Sequence, residues 1–140
     1  MKVQGLSKHE RIVSRKLTEQ LFNSGQGQSL VAFPLRAVYM PVQKDIVPEQ
    51  EDVAVQVLMS VSKRHFKHAV DRNRIKRQLR EAYRKNKHLL LGSLPQGQSV
   101  AVAFLWLSDG HLSSDNVEKR MKSLLHRIRE RLQPKQESAN

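Results

Sequence analysis

The chain has 140 residues and a mass of 16.1 kDa, the size of one ordinary domain with its own core and too short for two. With 39% hydrophobic and 27% charged residues, it falls outside the collagen-like, low-complexity and wholly disordered classes. Twenty-five Lys and Arg against 13 Asp and Glu leave +12, and the absence of cysteine excludes disulfides, thiolate nucleophiles and Cys-ligated zinc.

In chain order, Ser14 is placed to cap a short helix through Asn23, with Leu17, Leu21 and Phe22 on one side and Gly25 as its stop. An earlier start is also open, because Ser7 and Glu10 have capping-box spacing. The segment SLVAFPLRAVYMPV is rich in β-branched and aromatic residues and reads as a strand interrupted at Pro34, at an edge or a bulge. KDIVPEQED then forms an acidic loop, with no function assigned to residues 43–52. From Val53 alternation is clean, with Val53, Val55, Val57, Met59 and Val61 on one face.

A basic connection, Ser62 to His68, leads into a helix from Ala69 to Leu90, with Ile75, Leu79, Ala82 and Asn86 on one face. Residues 100–107, VAVAFLWL, are apolar on both faces and predict a strand covered on both sides. Asp115 and Glu118 have capping-box-like spacing ahead of Val117, Met121, Leu124, Leu125, Ile128 and Leu132, which repeat at helical intervals. The expectation is one α+β domain over residues 1–132 around a single sheet, with 133–140 a disordered tail.

The charge is concentrated. Residues 63–88 hold eleven Lys or Arg against Asp71 and Glu81, a net +9. At about 100° per residue, Asn73, Arg77, Arg80 and Arg84 fall within an arc of about 60°, nearly opposite the apolar face, and Arg72 lies to one side of it. Arg74 and Lys76 occupy other flanks. Acid partners at i,i+4 are almost absent, so like charges repel along the helix. A polyanion would relieve that repulsion, whereas a solvated face is the plainer explanation of a basic helix.

The run VLMSVSKRHFKHAVDRNRIKRQLREAYR, residues 57–84, closely resembles the protein component of bacterial ribonuclease P. Arg72-Asn73-Arg74-Ile75-Lys76-Arg77, with Arg80 following, matches that family's RNR motif, and Ser60-Val61-Ser62-Lys63-Arg64 matches its strand-end pattern. The resemblance implies an α-β-β-β-α-β-α domain with a ribosomal-protein-like RNA-binding fold. It also implies an unusual left-handed βαβ crossover, where spacing alone would predict a right-handed one.

It further implies a protein subunit that binds the catalytic RNA and the 5′ leader of precursor tRNA. The RNA subunit carries out the Mg²⁺-dependent cleavage, with the metal held mainly by RNA. On that resemblance Arg72, Asn73, Arg74, Lys76, Arg77, Arg80, Arg84, Lys63 and Arg64 would contact RNA, and Phe22, Ser60, Ser62 and Lys63 would line a cleft for the leader. Phe22 has two readings, a base-stacking platform or a core residue. One departure is the sequence Phe104-Leu105-Trp106-Leu107 where family members often carry a basic strand end. Trp106 reads as core or sheet-edge packing ahead of a base-stacking role.

No catalytic residue is expected in this chain. Asp45, Glu49, Glu51 and Asp52 lack metal spacing, Asp71 reads as a helix cap or ion-pair partner, and the six histidines form no zinc motif. A cysteine-free chain without a stretch of roughly 18 apolar residues, and without the apolar run of a signal peptide in MKVQGLSKHERIVSR, is expected in the cytoplasm without a membrane partner. A stand-alone or ribosome-associated RNA-binding module is the alternative. A helix-turn-helix DNA reader is disfavoured, because the basic helix lies between strands.

Overall fold

The computed structural model describes residues 15–23, 27–42, 55–91 and 99–132. In chain order these form α1 (Arg15–Asn23), β1 (Gln28–Ala32), β2 (Leu35–Val42), β3 (Val55–Ser60), α2 (Ala69–Asn86), α3 (His88–Leu91), β4 (Ser99–Trp106) and α4 (Ser114–Leu132). The strands make one sheet in the order β1-β2-β4-β3, antiparallel except for the parallel pair β3 and β4. A parallel pair needs a crossover, and here α2 and α3 supply it. The expected tail at 133–140, the acidic loop, Ser7, Glu10, Ser14, Gly25 and Val53 lie outside the described residues.

Burial on both faces of β4 follows from its central position. Val100, Val102, Phe104 and Trp106 join Leu35, Ala37, Tyr39, Val55 and Val57 in the main core, under Ile75, Leu79 and Tyr83 of α2 and Val117, Met121, Leu124, Leu125 and Ile128 of α4. Each fully buried Ile or Leu contributes about 1.5–3 kcal/mol relative to exposure. On the opposite face Ala101 and Ala103 join Val38, Met40 and Leu21 of α1 in a smaller cluster. Small residues and Gly27 let α1 approach: a Cβ at Gly27 would collide with the Leu21 carbonyl oxygen and crowd a Val38 methyl.

Three local expectations change. The segment around Pro34 is a hairpin, with β1 and β2 joined at Phe33–Pro34, whose peptide bond is cis. Proline has no N–H for a ladder, and its carbonyl accepts from Leu107 N at 2.8 Å. The basic helix stops at Asn86 and α3 follows after Lys87; at this junction the Asn86 side chain donates back to the Ala82 carbonyl at 2.8 Å and across to Glu118 Oε2 at 3.0 Å. Ser113, not Asp115, caps α4, its Oγ accepting from Asn116 N at 3.2 Å. Asp71, read as a cap or an ion-pair partner, takes the second of these roles, against His111 at 3.3 Å, while the N-cap position of α2 is His68.

Trp106 is buried and donates from Nε1 to the Gly110 carbonyl at 3.2 Å. At the β1 edge, α4 reaches over. Arg120 Nε donates to the Phe33 carbonyl and Arg127 Nη1 to the Val31 carbonyl, both at 2.9 Å.

Candidate RNA interface

The basic helix is oriented by its apolar face. Ile75 and Leu79 are fully buried, Ala82, Tyr83 and Asn86 are buried beside them, and the stripe between these positions is turned outward. Asn73, Arg74 and Arg77 are exposed, and Lys76, Arg80 and Arg84 are partly buried. Arg74 and Arg77 have no acid partner among the described residues. Their charges therefore stand in solvent on a backbone held rigidly by the core.

Arg72 and Arg84 differ from the rest of the stripe. Arg72 Nη1 donates to the Phe66 and Lys67 carbonyls, each at 2.9 Å, and so ties the connection between β3 and α2 to the first turn of the helix. Arg84 forms a two-point ion pair with Glu81, three residues earlier. The bonds from Arg84 hold the Glu81 carboxyl below its ordinary range, against a small opposing effect of burial, and the same bonds raise the Arg84 guanidinium. Helical periodicity places Arg84 on the stripe and Arg72 to one side of it, but carries no trace of these partners.

The connection itself is a compact turn. Ser62 accepts at its carbonyl from His65 N and Phe66 N, and at Oγ from Arg64 N, which leaves Lys63 and Arg64 exposed. His65 Nδ1 lies 2.7 Å from Asp109 Oδ1, and His111 Nε2 lies 3.3 Å from Asp71 Oδ1. The His111 ring packs on Phe66 at a centroid distance of 4.9 Å. Gln78 Nε2 adds bonds to Leu112 O and Ser114 Oγ. These contacts fasten the basic helix to the segment before α4, and no local sequence pattern announces them.

Two of the residues assigned to the leader cleft, Phe22 and Ser60, lie toward the other face of the sheet. Strand alternation puts Ser60 on the side carrying Leu58, Ala101 and Ala103, the side packed by α1. Phe22 is 42% exposed while its neighbour Leu21 fills the small core, so the core reading of Phe22 is excluded. The structure thus divides the sequence-derived residues between two surfaces, the outward stripe of α2 and the open face beside α1, with Ser62, Lys63 and Arg64 on the turn that follows β3.

No three carboxylates or imidazoles come together as a metal site among the described residues. The paired Asp and Glu side chains are each engaged by His, Arg or Asn, and a divalent ion demands several convergent oxygens. The described residues therefore do not fit a resident Mg²⁺. No described helix is long and apolar enough to cross a membrane.

Fold and charge together define an α+β polyanion-binding protein, one that displays a basic helix from a single sheet. The family model for ribonuclease P matches residues 6–129. The ribonuclease P protein component of Porphyromonas gingivalis is 42% identical over 125 residues, covering 89% of this chain and 86% of the relative. That of Chlorobium phaeobacteroides is 33% identical over 135 residues, covering 91% and 90%. The ribonuclease P protein of Thermotoga maritima has the same fold, with a TM-score of 0.64 at 20% identity over 85% of this chain and 97% of the other.

The chain belongs to the ribonuclease P protein family. With RNA it functions as the protein subunit of that endoribonuclease, in the removal of 5′ leaders from precursor tRNA.

Proposed function

We propose that this chain serves ribonuclease P by neutralising phosphate charge with the outward face of α2 and by holding the leader along the α1 side of the sheet. Asn73, Arg74, Lys76, Arg77 and Arg80 contact RNA phosphates, and Lys63 and Arg64 extend that surface beyond the helix. Arg72 acts by ordering the turn that carries them. Arg84 contributes charge already tempered by Glu81. Phe22 offers a π-face to an unpaired base, and Ser60 and Ser62 offer hydroxyls to its backbone.

One observation carries this reading: Arg74 and Arg77 project unpaired from a helix whose opposite face is locked into the core by Ile75 and Leu79. Such charges cost stability by mutual repulsion and gain it back on a polyanion. Mg²⁺ chemistry belongs to the RNA in this reading, and a cysteine-free chain working on precursor tRNA has the cytoplasm as its compartment.

Reconstitution tests it. With ribonuclease P RNA at low Mg²⁺, addition of the chain should restore cleavage of precursor tRNA, and the assembled complex should prefer precursor to mature tRNA. Failure to stimulate, or equal affinity for both tRNAs, would overturn the reading.

A further inference from the structure

Among the described residues the large exposed apolar side chains are Phe22, Val31, Phe33 and Val70. Two of these four, Val31 at 47% and Phe33 at 62% exposed, sit together at the tip of the β1–β2 hairpin. Their backbone carbonyls are the ones gripped by Arg127 and Arg120 of α4. On α4, Arg120, Arg127 and Arg131 fall within about 40° of one another at about 100° per residue, so a second row of arginines runs along this flank.

Covering an edge strand explains two carbonyl bonds. It does not explain an aromatic ring left in water beside them. A guanidinium has five N–H donors in a fixed fork, and each of these arginines spends one of them on the hairpin, according to the bonds described. The remaining donors are held in place with their charge unpaired, since neither Arg120 nor Arg127 meets a carboxylate among the described residues. An exposed aromatic flanked by oriented guanidinium groups has the composition of a nucleotide-binding platform, with a base on the ring and a phosphate on the fork.

We propose that Phe33, Arg120 and Arg127 form a second RNA-contact surface, which takes an unpaired nucleotide of ribonuclease P RNA. The proposal rests on the reading that the chain binds this RNA. β1 and β3 are opposite edges of the sheet, roughly 14 Å apart at about 4.8 Å per strand, so this surface is remote from the turn at Ser62–Arg64. α4 packs against both α2 and β1, so the hairpin surface borders the same helical layer that carries the basic stripe. The leader, assigned to the α1 side, would be drawn away from it. A second copy of the chain is disfavoured as occupant by the repulsion between two molecules of +12 each.

The test measures binding of the full chain to ribonuclease P RNA without substrate, across a salt series, for the wild type, Phe33→Leu, Phe33→Tyr, Arg127→Gln and Arg77→Ala. Phe33→Leu keeps an apolar side chain but no π-face and should weaken binding by about fivefold or more, with the salt slope unchanged. Phe33→Tyr should retain affinity. Arg127→Gln should lower the slope by about 0.7–0.9. Thermal unfolding of each variant separates lost contacts from lost fold.

Wild-type affinity and slope in both Phe33→Leu and Arg127→Gln would overturn the proposal, and a defect in Arg77→Ala alone would leave the α2 reading standing without it. A defect confined to precursor tRNA binding by the assembled complex would assign the platform to the leader instead. Altered self-association with RNA affinity intact would assign it to a second copy. Both of those outcomes overturn the proposal, and a wild-type chain that fails to bind the RNA overturns the underlying reading as well.

Discussion

The guanidinium of Arg72 bonds the Phe66 carbonyl at 2.9 Å, so the first arginine of the RNR motif points back at its own chain. A second bond to the Lys67 carbonyl from the same nitrogen makes it a clamp on the turn that presents Lys63 and Arg64. Arg72→Ala should lower stability by about 1–2 kcal/mol, the scale of a charge-assisted bond in a partly exposed setting. Arg72→Lys should recover charge but little of that stability, since the lysine side chain ends one bond short of the Nη1 position that makes both bonds. Chemical denaturation combined with a salt series on RNA binding checks both: if the Lys variant is as stable as the wild type, the clamp has no such role.

Arg77 should behave differently. It is exposed and has no acid partner among the described residues, so Arg77→Ala should leave unfolding within about 0.5 kcal/mol of the wild type. RNA affinity should fall, with the slope of log K against log salt reduced by about 0.9. An unchanged slope would mean that the side chain stays in solvent in the complex.

Glu81 restrains Arg84, and its removal should strengthen binding. In Glu81→Gln the helix gains one net positive charge on its outward stripe, so RNA affinity should rise and the salt slope steepen. The pair also carries a pH signature. Because the folded Glu81 carboxyl lies below its ordinary value, its stabilisation is present above the unfolded pKa, about 4.3, and disappears as pH falls through the lower folded value. Both partners are well solvated, so the effect is small. Comparing acid unfolding of the wild type and Glu81→Gln should show their stabilities converging as pH falls through the lowered folded value.

Gly27→Ala probes the placement of α1. The added methyl would meet backbone, the Leu21 carbonyl oxygen, so α1 must shift and the Leu21 cluster must loosen. A stability loss of about 1–3 kcal/mol is expected, as for overpacking in a tight site. Discrimination between precursor and mature tRNA should weaken with it, while binding of ribonuclease P RNA through α2 is retained. Preserved discrimination in a destabilised variant would detach Phe22 from the leader.

Ile75→Ala tests the anchor of the basic helix. Ile75 is fully buried on the face opposite Asn73 and Arg77, and its truncation should cost about 2–5 kcal/mol. Measured at a temperature where the variant remains folded, its salt slope should match the wild type, because no phosphate contact has been removed.

Sequence alone determined the outward basic stripe. Helical periodicity from Ile75 to Asn86 puts the apolar residues on one side and the arginines on the other, and the double-sided apolar run at 100–107 marks β4 as central. Both are local properties of side-chain spacing, and each follows from the burial requirement of a single element. The RNR pattern added the identity of the polyanion.

Tertiary structure decided what spacing does not encode: that Pro34 turns a hairpin, that Asn86 at the end of α2 bonds Glu118 on α4, and that Arg72 clamps Phe66 and Lys67 instead of joining the exposed face. It also decided that Arg120 and Arg127 close over the β1 edge, 87 and 96 residues away in the chain. Each of these depends on partners brought together by folding, and a hydrogen bond leaves no periodic signal in the segment that donates it.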